Sequence, residues 1–145
     1  MSEEKYEHDD RIKHLEFIQG VVTRMGANSF QMKGWMVAIV SALLAIYANR
    51  QNSLYALFGL LPVFIFWGLD AYYLWQERKF RGLYNDVAGV TRNNEIKPFA
   101  MRPDLYTLKN KKSYGYWNVF FSKTIMWLYL PVAGILLAIY FFLTP

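Results

Sequence analysis

Asp70 is the carboxylate whose position asks for an explanation. It interrupts Phe66-Trp67-Gly68-Leu69-Asp70-Ala71-Tyr72-Tyr73-Leu74-Trp75, a run with no other charge. An ionisable group in such surroundings is costly and normally pairs or lines a water-filled path. Two chemistries follow. Asp70 is either part of a proton or ion route or one half of an ion-pair clasp, for which Lys33 is the expected partner. The clasp is favoured, because Asp70 lies near the end of its apolar run, where interfacial water lowers the penalty. A transport route needs more polar residues than Ser41 and Asp70 supply.

Other reactive constellations are absent from the sequence. His8 and His14 are six residues apart on a polar segment and read as surface histidines, without the i, i+4 spacing of a zinc protease. No phosphate loop, dinucleotide fingerprint or Gly-x-Ser-x-Gly elbow occurs. Cysteine is absent, which removes thiolate nucleophiles, disulfides and cysteine-ligated metals. No catalytic, cofactor-binding or metal-ligating residue is therefore expected, and an enzyme is the least supported class.

A third feature is a basic cluster, Lys109, Lys111 and Lys112, followed by the aromatic stretch Tyr114 to Phe121 with Trp117 inside it. Tyr and Trp settle at the headgroup level, and cytoplasmic lysines attract anionic lipid by about 1 kcal/mol each. The same chemistry suits an acidic partner or a phosphorylated small ligand. Bases also stack on aromatics beside basic grooves. No nucleic-acid fold motif accompanies the cluster, so nucleic acid is not an expected partner.

The elements that position these residues are apolar. The uncharged runs Gly34 to Ala48, Ser53 to Leu69 and Ile125 to Leu143 each approach the roughly 20 residues that cross a hydrocarbon core of about 30 Å. Lipid leaves helices as the way for such segments to satisfy their backbone. The expected fold is an all-α membrane protein with three transmembrane helices. Its segments are a cytoplasmic amphipathic helix over 1–33, spans over 34–48, 53–75 and 124–143, and a basic cytoplasmic helix and loop over 76–123. The first run follows a long flank with Glu3, Glu4, Glu7, Asp9 and Asp10, unlike a signal peptide, and is expected to stay as an anchor. With roughly 60 of 145 residues in lipid, no separate catalytic domain is expected.

Charge sets the expected orientation. Residues 1–33 hold five Lys/Arg, the turn between the first two runs holds Arg50, and residues 76–123 hold ten. Lys/Arg excess marks the cytoplasmic side. The N-terminus and the 76–123 loop are thus placed in the cytoplasm of a bacterial inner membrane, with the C-terminus periplasmic. That loop carries a net +6 against +5 for the whole chain, so the basic character is local.

Leu15, Ile18, Val22, Met25, Ser29 and Met32 recur at spacings of three and four, the stripe of a helix that Asp9 or Asp10 could cap. Phe80, Leu83, Tyr84 and Val87 repeat the pattern, and Gly89 with Asn93-Asn94 offers a stop. A turn near Gln51 puts residue i level with about 102 − i in an antiparallel pair. Leu15, Ile18 and Val22 then face Val87, Tyr84 and Phe80 as a seam, and Asp70 faces Lys33. The first two helices are expected to form a long antiparallel hairpin extending into the cytoplasm. The competing arrangement lays residues 11–32 flat on the membrane as an interfacial helix. Pro98 and Pro103 predict an irregular segment over 95–104.

Small residues four apart (Ala38 and Ala42, with Ser41 and Ala45; Gly134 and Ala138) let helix backbones approach closely. They serve either packing within the chain or a homo-oligomer.

The stretches Lys13-His14-Leu15-Glu16-Phe17-Ile18-Gln19, Asn28-Ser29-Phe30 with Lys33-Gly34-Trp35, and Phe66 to Asp70 through Glu77-Arg78-Lys79-Phe80-Arg81 resemble small, uncharacterised bacterial three-span membrane proteins. In size and topology the chain also resembles the transmembrane effectors of anti-phage defence systems. That likeness implies an oligomeric inner-membrane effector, which perturbs the membrane on a cytoplasmic signal. The alternative is a non-conducting anchor or scaffold for a soluble cytoplasmic partner.

Overall fold

The computed structural model describes residues 2–92, 94–106 and 114–142, with side chains from residue 7 onward. Among the described residues there are four α-helices, one 3-10 turn and no strand. Helix α1 is Ser2–Arg50, α2 is Leu54–Val87, the 3-10 turn is Pro103–Tyr106, α3 is Tyr116–Phe120 and α4 is Lys123–Phe142. Three of the helices, α1, α2 and α4, are long and apolar enough to cross a membrane.

Helix α1 runs without a break through the proposed boundary at residue 33. Its 49 residues span about 74 Å at 1.5 Å per residue, far more than a hydrocarbon core needs. Asp9 and Asp10 were expected to cap it, but the helix already contains them. Its other end is set locally. Gln51 takes a left-handed φ of 54° while its N–H donates to the Tyr47 carbonyl, and the Asn52 side chain accepts the Leu54 N–H at 3.0 Å. Those two devices end one helix and begin the next within three residues.

Helix α2 stops at the glycine that marked its end in the sequence. Gly89 adopts φ +77°, the Gly89 N–H donates to the Asp86 carbonyl and the Val90 N–H to the Asn85 carbonyl. This is the Schellman pairing of a helix C-terminus. Arg11 adds a donor from α1, its Nε bonding the Val87 carbonyl at 2.9 Å.

Contacts between α1 and α2 advance in opposite directions along the two helices. Arg11 meets Val87, Gly26 lies beside Glu77, and Ser29 and Lys33 meet Asp70. Ile18 and Val22 are buried against Leu83 and Tyr106, with Phe80, Tyr84 and Val87 packed alongside. A second cluster joins Met36 and Val40 of α1 to Val63 and Trp67 of α2 and to Ile125, Tyr129 and Leu136 of α4. Gly59 admits Leu136 here, since a Cβ at that position would lie 3.1 Å from it.

The small residues do not serve this packing. Ala38, Ser41, Ala42 and Ala45 on α1 and Gly134 and Ala138 on α4 are all exposed. The small residues at the interfaces between helices are others, Ala56, Gly59 and Ala71 on α2 and Ala133 on α4.

The segment after α2 folds back onto the helices. Pro103 opens the 3-10 turn instead of prolonging the irregular stretch, and Tyr106 at its end is buried. Pro98 and Phe99 sit at the corners of a turn closed by the Ala100 N–H on the Lys97 carbonyl. Phe99 has φ 59°, a conformation that side chains other than glycine rarely adopt and that costs on the order of 1–3 kcal/mol. Its ring packs on His14 and Phe17 at centroid distances of 5.8 and 6.3 Å. The surface role expected for His14 is therefore overturned: this residue is 3% exposed, covered by a turn that arrives from 85 residues along the chain.

Candidate functional site

Asp70 is fully buried on α2 and is met from two other helices. Lys33 of α1 brings its Nζ to 2.7 Å from Oδ1 and 2.6 Å from Oδ2. Ser29, one turn earlier on the same face, donates its hydroxyl to Oδ1 and accepts from Lys33 Nζ at 3.0 Å. Tyr129 of α4, also fully buried, lies with its hydroxyl near the same carboxylate and donates to the Phe66 carbonyl at 3.3 Å. The carboxylate of α2 thus gathers a cation and a hydroxyl from α1, with a second hydroxyl nearby from α4.

The asymmetry of the pair matters. The Lys33 side chain keeps 24% of its surface exposed while that of Asp70 keeps none. Lysine can thus retain partial hydration through its flexible stem, whereas the carboxylate depends on its protein neighbours. The spacing of residues identified Lys33 and Asp70. Ser29 was recognisable as a member of the same stripe, though not as a ligand of the carboxylate. Tyr129 had no signal, because nothing in the sequence fixes the rotation of α4 about its axis.

Aromatic residues frame this level. Trp67 stacks on Phe120 at 4.9 Å and on Tyr129 at 5.7 Å, and its Nε1 donates to the Phe120 carbonyl at 3.0 Å. The Tyr116 hydroxyl donates to the Gly68 carbonyl at 3.1 Å, and Trp75 Nε1 to the Tyr114 carbonyl at 2.7 Å. These bonds tie α3 and the residues just before it to α2. Trp117 does face outward, at 67% exposure. Lys109, Lys111 and Lys112 lie outside the described residues.

The second polar assembly fastens the loop. Asp86 accepts from the Thr91 hydroxyl, from Asn94 Nδ2 at 3.2 Å and from the Tyr106 hydroxyl at 2.5 Å. Burial, aided by Asp86, raises the Tyr106 hydroxyl well above the ordinary tyrosine range, so it remains a donor. Ile18 and Val22 of the proposed seam lie under this loop with Phe80, Tyr84 and Val87, while the buried α2 residue among them is Leu83. Leu15 is half-buried outside that cluster.

Gly82 makes the arrangement possible. A Cβ there would stand 2.6 Å from Tyr106 Cδ1 and 2.8 Å from the Tyr114 hydroxyl. Gly82→Ala is therefore expected to displace Tyr106 and loosen its bond to Asp86, outweighing the roughly 1 kcal/mol that alanine brings to a helix. Faster proteolysis around Arg92 and Arg102, with unchanged membrane insertion, would register it.

Among the described residues no cluster of three or more His, Cys, Asp and Glu side chains could hold a metal ion. No protein-family model, curated protein or solved structure matches this chain.

Proposed function

We propose that this chain is an oligomeric effector of the bacterial inner membrane that perturbs the bilayer on receiving a cytoplasmic signal, in the setting of anti-phage defence. The observation that carries the reading is the continuity of α1. One unbroken helix bonds the end of α2 through Arg11, packs under the loop through His14, and meets Asp70 through Lys33. A signal received near residue 11 has a rigid path of about 33 Å to the ion pair at 1.5 Å per residue. In this reading α1 and α2 form a hairpin that projects into the cytoplasm, with residues 76–123 cytoplasmic and the C-terminus periplasmic. Basic residues of the loop attract anionic headgroups or a phosphorylated ligand.

The polar groups of this site lie at one level: Ser29, Lys33 and Tyr129 surround the Asp70 carboxylate. A conducting route within one chain would require polar groups along the whole span. Membrane perturbation is therefore assigned to the assembly and the ion pair to holding the helices in register. The second reading, a non-conducting anchor for a soluble partner, draws on the fastened loop, which presents exposed Val90, Met101 and Leu105. Inducible expression with a voltage-sensitive dye, with and without phage infection, separates the two. Depolarisation on infection is expected of the effector, and an unchanged potential with normal phage growth would leave the anchor.

A further inference from the structure

Gly20, Ala27, Gly34, Ser41 and Ala48 stand seven residues apart on α1, and every one is exposed. At Gly20 and Gly34 an added Cβ would meet nothing within 4 Å, so the fold of the chain itself does not require glycine there. Each glycine nonetheless costs a helix interior about 0.8–1.0 kcal/mol relative to alanine.

Two open grooves lie along this same face. One is bordered by Phe17, Gly20, Val21, Phe99 and Met101, the other by Ala27, Phe30, Gly34 and Trp35. Phe17 and Phe30 are 60% and 78% exposed, high values for aromatic side chains beside a ready groove. His14 borders the first groove, and its Nε2 is buried without a hydrogen-bond partner. Such an atom is satisfied in nearly all folded proteins, so this wall of the groove is incomplete in the single chain.

We propose that a second copy of this chain docks along this face, α1 beside α1 and in parallel, with the aromatic side chains entering the grooves. The period argues for that occupant: seven is the repeat of helices supercoiled about each other, and small residues at it permit close approach. Copies inserted in one membrane share an orientation, so their α1 helices meet in parallel. The face also continues from the grooves into the apolar run at Ser41 and Ala48. A soluble partner would cover only one half and lipid only the other, whereas a second α1 covers both. The proposal rests on the oligomeric membrane reading above and specifies its interface.

The chain has no cysteine, so single substitutions report proximity cleanly. Ala27→Cys and Ser41→Cys, oxidised in native membranes, are compared with Leu61→Cys on α2 and Ile135→Cys on α4, both on exposed faces. At least tenfold more disulfide-linked dimer is expected from positions 27 and 41 than from the controls. The double variant Gly20→Leu, Gly34→Leu starts from open space at both Cβ positions of the single chain and favours helix. It should lower the Ala27→Cys dimer at least tenfold while helicity is retained. Cross-linking at 61 or 135 in place of 27 and 41, at only one of 27 and 41, or undiminished by the leucines overturns the proposal and leaves the oligomer reading standing. No dimer from any of the four positions overturns both.

Discussion

Lys33→Ala is expected to destabilise the protein by about 3–5 kcal/mol, the cost of leaving one charge of a buried pair without its partner. The larger burden falls on this side of the pair because Asp70 is wholly buried and keeps only hydroxyl neighbours, Ser29 and Tyr129, once the ammonium is gone. Asp70→Ala should cost less, since Lys33 is partly exposed and its stem can carry the charge toward water. Asp70→Asn preserves shape and hydrogen bonding to Ser29, and should be the mildest of the three. Exchanging the two residues should recover part of the loss, limited by fitting a lysine into a position with no exposed surface. The folded fraction in detergent or bilayer, followed against temperature or denaturant, checks the order. If Lys33→Ala is as stable as the parent chain, the clasp is refuted. If Asp70→Asn stays folded but loses membrane activity, the carboxylate acts chemically, and the ion-route reading replaces the clasp.

The second large effect is expected at Ile18→Asp. Ile18 and Leu83 are fully buried against each other's cluster, and a carboxylate placed there would lose its hydration without gaining a cation. Such burial costs several kcal/mol, more than the few packed side chains of this cluster can absorb. The α1 and α2 segments around residues 18 and 83 should separate, while α1, α2 and α4 remain inserted, because insertion depends on the apolar runs. Hydrogen exchange over residues 11–25 and 78–90, beside carbonate extraction of the membranes, measures the two effects independently. An effector that transmits its signal through this region should become unresponsive or permanently toxic. An anchor should lose its soluble partner with the membrane potential unchanged. If a chain confirmed to carry the opened cluster behaves normally in both assays, the cluster has no part in either mechanism.

How far these sites could be read in advance varied with the kind of interaction. Lys33 and Asp70 were paired by counting, because two helices of equal rise joined by a short turn keep their residues level. The helix stop at Gly89 was equally legible, since a left-handed C-terminal position favours glycine and the Schellman bonds follow. Asp9 and Asp10 misled, as a good capping residue inside a favourable helical stretch does not stop it. His14 misled for another reason: its cover is Phe99, brought back by the Pro98 turn and the fastening at Asp86. No local pattern around residue 14 contains that information.

By itself the sequence determined the three apolar runs, the basic excess over residues 76–123 and the two stripes that face each other. These follow from local composition and from the fixed rise and period of a helix. Only the tertiary structure decided that Tyr129 lies near Asp70, that Gly82 receives two tyrosines, and that Ala38, Ser41, Ala42 and Ala45 of α1 face outward. Each depends on the rotation of one element about its axis or on the path of a loop. Such features are selected by packing among side chains distant in the chain, and helical periodicity leaves them open.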